Sequence, residues 1–129
     1  MAAHPKRVRS RQGLQAIERL RKIIEGLPEA TEAMDKFGHT SCRVRDKPFV
    51  IVGDGSGGGS LAIKSDLETQ GFLIEHRGFG RTPHIGQHGW VSVERLPPDS
   101  WAEVDELVVD ACLLAAPKSL AKGVRGLDG

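Results

Sequence analysis

Leu14, Ile17, Leu20, Ile24 and Leu27 recur every three or four residues. That spacing puts them on one face of a helix, predicted over 11–26, with Gly26 and Pro28 as its stop. Glu18, Arg19, Arg21, Lys22 and Glu25 decorate its outer side. The stretch "PEATEAMDKFG" has no such period and reads as a polar connector. Cys42 and Val44 then alternate with Arg43 and Arg45, as in a half-buried strand. Phe49–Val52 is continuously apolar and rich in β-branched residues, as in a more buried strand. These two runs flank Asp46-Lys47-Pro48. "SLAIK" predicts a further short strand, with Leu61 and Ile63 facing one way and Ala62 and Lys64 the other.

Ser65-x-x-Glu68 is a capping-box pattern for a short helix near 66–71, ended by Gly71. "FLIEHRGFG" then reads as loop leading into strand. "RTPHI" and "WVSVERL" flank Gly86-Gln87-His88-Gly89, which reads as a hairpin turn. Ser100-x-x-Glu103, after Pro97-Pro98, is the stronger capping box. It opens a helix with Trp101, Val104, Leu107, Val108, Ala111, Cys112 and Ala115 on one face, broken by Pro117. The order is helix, three strands, short helix, two strands, helix. That is an α+β fold: an antiparallel sheet with its N-terminal and C-terminal helices packed on one face.

Gly53, Gly55 and Gly58 spell G-x-G-x-x-G. A dinucleotide fingerprint needs a helix to start there, because helix N–H groups and the helix dipole hold the phosphate. Here Gly57-Gly58-Gly59 runs straight into another strand, so the glycines read as a flexible hairpin loop. The absence of Gly-Lys-Ser/Thr excludes a P-loop.

A length of 129 residues suits one domain, large enough for a core without staples. The division expected is a disordered basic arm over 1–11, one domain over 12–122 and a flexible tail over 123–129. No apolar run reaches membrane-spanning length, and the basic start lacks the apolar block of a secretory signal, which points to the cytoplasm. Cys42 and Cys112 stand in no ligand spacing and read as reduced core thiols, with one disulfide as the other option. Residues 1–50 carry eleven Lys/Arg against six Asp/Glu, and residues 51–129 seven against eleven. Such a balance gives no global field for nucleic acid but allows a local basic patch.

Candidate chemistry is sparse. His84 and His88 are four apart, but Pro83, Gly86 and Gly89 argue against the helix that would make them a metal pair. His39, Ser41 and Cys42 hold the residue types of a nucleophile and its base, with no accompanying signature. No catalytic constellation stands out, and no cofactor is expected. The most suggestive group is Lys64, Arg77, Arg81, His84, His88 and Trp90: basic and aromatic residues around two strands and a hairpin. Phosphates need Lys or Arg, and an exposed aromatic can stack on a base.

"GFGRTPHIGQHGWVSVERL", followed by "WAEVDELVVDACLLAAPKSLAK", resembles the MmcQ/YjbR family of small bacterial proteins. "LRKIIEGLPEATEAMDKFGHTSCRVRDKPFVIVG" fits the same pattern, so the resemblance spans roughly 13–122. It implies a CyaY-like α+β fold, compared also with the double-wing DNA-binding domain of the phage transcription factor MotA, and the usual family label is DNA-binding protein. Relative to family members, Gly86-Gln87-His88-Gly89-Trp90 is leaner in positive charge. The likeness to CyaY raises iron binding, but Arg19, Arg21 and Lys22 interrupt the acidic first-helix ridge that it needs.

Two functional readings follow. In the first, the chain is a non-enzymatic DNA-binding module whose phosphate contacts are Arg43, Arg45, Lys64, Arg77 and Arg81, with His88 and Trp90 shaping the wing. In the second, it binds a small molecule, as a resistance-type accessory protein would, in a pocket near His39, His84 and Trp90.

Overall fold

The computed structural model describes residues 7–54 and 58–120. Its elements are α1 (Arg11–Glu25), β1 (Ala30–Met34), β2 (Thr40–Val44), β3 (Lys47–Gly53), β4 (Ser60–Ile63), α2 (Leu67–Arg77), β5 (Gly80–Arg81), β6 (Val91–Val93) and α3 (Trp101–Ala115). The strands form one antiparallel sheet in the order β1-β2-β3-β4-β6-β5. The terminal helices α1 and α3 pack on one face of that sheet. No helix among the described residues is long and apolar enough to cross a membrane.

The core follows from strand alternation. The registers Cys42↔Val50↔Ile63↔Val91 and Val52↔Leu61↔Val93 put these residues on the helix-covered face. Ala16, Ile17 and Leu20 from α1, and Val104, Val108, Ala111 and Cys112 from α3, close over them. Between Cys42↔Val50 and Arg43↔Pro48 the register shifts, so Phe49 is the extra residue of a β-bulge. The bulge lets the consecutive residues Phe49 and Val50 both face the core, which strict alternation forbids.

Several expectations are corrected. "PEATEAMDKFG" is not all connector, because Ala30–Met34 forms the edge strand β1. Three of its five residues are exposed, which erased any alternation. Leu14 is exposed although it shares the helical period. The cap of α2 is Asp66, whose carboxylate accepts from Thr69 N–H at 2.7 Å, not Ser65. Gly71 lies inside that helix. The true stop is Gly78, left-handed at φ 74°. The segment 80–93 pairs antiparallel as a hairpin would, but β5 has two residues, and its long connection contains a 3₁₀ turn at Gly86–His88. By contrast, Ser100 caps α3 as its pattern predicts, accepting from Glu103 N–H.

Residues 1–6, 121–129 and 55–57 lie outside the described residues, and with them most of the expected arm, all of the tail and part of the glycine loop. The described part of the arm is docked, not loose. Val8 is buried, and Asp54, at the start of the glycine loop, accepts from Arg9 N–H (2.9 Å), Ser10 N–H (3.1 Å) and Ser10 Oγ (2.7 Å). Ser10 Oγ also caps α1 by accepting from Gly13 N–H. Gly59, at φ 88°, passes so close that a Cβ there would stand 2.9 Å from Gly13 N. Asp54 therefore supplies the anion at this helix N-terminus from within the chain.

Burial opposes the charge on Asp54, but the hydrogen bonds from Ser10 Oγ and from the Arg9 and Ser10 N–H groups outweigh it and hold the carboxyl below its ordinary value. The folded state thus takes up this proton less readily than the unfolded chain. The stabilisation is whole above about pH 3.9 and is lost as the pH falls through the lower folded value. Asp54→Ala is expected to cost about 1–3 kcal/mol at neutral pH. Denaturant melts should show that deficit shrinking below about pH 3.9. A deficit that does not change with acidification would contradict the clasp.

Candidate functional site

Lys64 follows β4, and its N–H donates to the Phe49 carbonyl at 2.9 Å, so the bulge fixes its backbone. Its ammonium lies over the Trp90 indole, 5.8 Å from the ring centroid. Pro48 and Ile51 from β3, Ile85 and His88 from the β5–β6 connection, and Leu114 and Ala115 from the end of α3 complete a groove of about 440 Å³ with Lys47 at its rim. The floor is apolar. Its charged and titratable groups are Lys47, Lys64 and His88, and no carboxylate lines it. Neither lysine makes an ion pair among the described residues.

The wall that carries Trp90 is locked by a residue that sequence reasoning passed over. Gln70, buried on α2, donates from Nε2 to the carbonyls of Gly86 (2.7 Å) and Trp90 (2.8 Å). A lone glutamine in a weakly patterned helix gives no warning of this. The buried hydroxyls of Thr82, just after β5, and Ser92, on β6, share a hydrogen bond of 2.8 Å. Trp90 itself is 5% exposed, so it forms the wall of the groove and offers no free face for a base to stack on.

The other nominated residues are dispersed. Arg45 makes two hydrogen bonds to Glu29, at 2.8 and 2.9 Å, and these hold the Glu29 carboxyl below its ordinary value. Arg77 donates to Glu103 at 2.7 Å. Arg43 is held by Ser41 Oγ and the Asp46 carbonyl, with the Asp46 carboxylate 3.7 Å away. Arg81 is exposed without an ion-pair partner among the described residues, and its stem lies against Gly86. His88 and Trp90 meet Lys64 at the groove. His39 does not join Trp90: it sits beside Gly53 and pairs with Asp35 at 3.3 Å, at the Ser60 end of β4, while Trp90 adjoins the Ile63 end. His84 is exposed, left-handed at φ 68°, and does not line the groove.

The residues that suggested a nucleophile are separated as well. Cys42 faces the core, where burial first, and then the Glu32 and Cys112 charges, push its thiol up to about 12. Ser41 points to the opposite face, where its hydroxyl donates to the Ala33 carbonyl. Cys112 is likewise buried, with its thiol raised by desolvation. Neither thiol has the thiolate character of a reactive cysteine.

A family model described as YjbR matches residues 25–114. The chain belongs to the YjbR family. Every groove residue except Ala115 falls inside the matched part of this YjbR chain. The crystal structure of Deinococcus radiodurans protein DR2400, with the family-model domain DUF419, is similar to the YjbR chain with a TM-score of 0.70 and 18% identity, over 84% of this chain and 86% of that one. That likeness shows the shared α+β fold. No curated protein matches the YjbR chain.

Proposed function

We propose that this YjbR chain is a non-catalytic binding module for a small molecule and that the groove between Pro48, Ile51, Trp90 and Leu114 is its site. The observation that carries this reading is an apolar concavity of about 440 Å³ with a few polar groups at its edge. That size falls in the range of roughly 300–1,000 Å³ common for ligand pockets. Its walls belong to strands and a helix end, and its one long loop is held by Gln70. Leu114 is 49% exposed there, an apolar side chain for which burial under a ligand is favourable.

A DNA-binding role draws less support. Of the residues nominated for phosphate contacts, Arg43, Arg45 and Arg77 face the chain's own carboxylates, which leaves Lys64 and Arg81 without ion pairs among the described residues. A phosphate backbone needs a longer track than these provide.

Two-dimensional amide NMR with a fragment library tests the proposal. Binders are expected to shift the amides of residues 47–51, 64, 85–90 and 114–115 together with the Trp90 indole N–H, and Leu114→Asp should abolish those shifts. Fragments that gather instead at the cavity between Arg77 and Pro98 would overturn the assignment. Sub-micromolar binding to a labelled DNA duplex near physiological salt, with a steep salt slope, would favour the nucleic-acid reading over it.

A further inference from the structure

We infer that the ligand of this groove is an amphipathic anion: a flat or aliphatic apolar body carrying a single carboxylate, sulfonate or phosphate that Lys64 and Lys47 receive. The inference rests on the groove being the binding site, and it adds the chemical class. Its basis is the distribution of charge among the concavities. The cavity of about 320 Å³ near Arg77 and Arg95 also contains Glu94, Asp99 and Glu103. The depression between α1 and α3 sets Glu18 and Asp105 against Arg19 and Lys22, and in it Arg19 is bound by Asp105 at 2.8 Å. In both, the chain's own carboxylates stand among its cations and bind one of them, Arg77 in the first and Arg19 in the second. In the groove they do not, since its charge comes from lysines with His88 beside them.

The placement of Lys64 supports the same conclusion. Its stem leaves the sheet beside the apolar floor while its ammonium rests over Trp90, so the cation is positioned before a ligand arrives. Lys64 and Leu114 also border a smaller depression that contains Asp66 and Asp110, but neither carboxylate forms an ion pair with Lys64. Lys47, exposed at the start of β3, lines the same groove. An ammonium is a compact point charge, which suits one oxyanion group without demanding bidentate geometry. An anionic head between the two lysines leaves Ile51, Ile85 and Leu114 for the body, and that division of polar and apolar contacts defines the class.

The test uses three probes of one shape: 2-naphthoate, 2-naphthamide and 2-naphthylmethylamine, titrated into the full chain by amide NMR. The naphthoate is expected to bind about fivefold or more tighter than the amide, the scale of one or two charge-assisted contacts at a partly exposed site, and the amine weakest. Lys64→Met, which preserves the apolar stem, should bring naphthoate and amide to within about twofold of each other, and Lys47→Met should reduce the gap in part. Equal binding of naphthoate and amide at the groove would overturn the anionic class while leaving the small-molecule site in place. No groove shift with any of the three, together with an unresponsive fragment screen, would overturn both. A naphthoate preference that survives both lysine variants would overturn the assignment of the head group to these residues. Spectra of the unliganded variants report whether each is folded.

Discussion

Phe49→Ala is expected to lower stability by about 3–5 kcal/mol, seen as a drop in denaturant midpoint with an unchanged slope. Phe49 is fully buried and heads the side chains enclosed in the core. As the extra residue of the bulge, it has no register partner on β2, so its backbone is held by the Lys64 N–H on the other side and by the packing of its ring. Truncation leaves a cavity beneath β3 that neighbouring side chains fill poorly, because the flanking Val50 and Val52 are β-branched and stiff. Phe49→Leu keeps most of the volume and should cost less than about 1.5 kcal/mol. A loss below about 1 kcal/mol for the alanine variant would show that the ring does not hold the bulge. The effect reaches the groove as well, since the Phe49 carbonyl anchors Lys64 and its neighbour Pro48 lines the floor.

Gly89→Ala should cost about 2–4 kcal/mol through a different mechanism. Gly89 holds φ at 96°, where an L side chain is strained, and a Cβ there would stand 2.3 Å from the Ser65 carbonyl oxygen and 2.9 Å from the Asp66 backbone. Those atoms form the junction between β4 and α2 and have little freedom to retreat. Relief requires the loop carrying His88 and Trp90 to lift off, so loss of stability and loss of naphthoate binding should appear together. Gly71→Ala is the control. A Cβ at Gly71 meets nothing within 4 Å, on an exposed turn of α2, and alanine there should stabilise by roughly 0.5–1 kcal/mol. If the two variants behave alike in melting and binding, the close approach at Gly89 is not real.

Much of the scaffold could be read from the chain because its burial is one-sided. Leu20 and Val104 recur with neighbours at helical spacing, Leu61 and Ile63 alternate, and Ser100 announces the start of α3, so local chemistry and tertiary packing agree. The edge strand β1 escaped because it is stabilised from one side, by β2, and leaves Thr31, Glu32 and Met34 exposed. The length of α2 escaped because Gly71 resembles a terminator. The helix tolerates it because the buried residues Gln70 and Leu73 lie on either side. At the site, Lys64, His88 and Trp90 were visible as a basic and aromatic group. Lys47, Ile51 and Leu114 were not, because they lie on β3 and α3, which only the fold brings to that group. Nor could spacing show that Glu29 would neutralise Arg45 across 16 residues, or Glu103 neutralise Arg77 across 26.

The clasp between Asp54 and the segment before α1 carries a consequence for the order of assembly. Strands β1 to β4 form a meander in which each strand pairs with the next one in sequence, so each step closes a short loop. The contacts of Arg9 and Ser10 with Asp54 join residues 45 and 44 positions apart. They can form only after β3 has delivered Asp54 to the end of the sheet. The cap of α1 is therefore anchored late by a carboxylate from mid-chain, and the Arg9 and Ser10 amides that it holds should exchange with solvent before those of the helix interior.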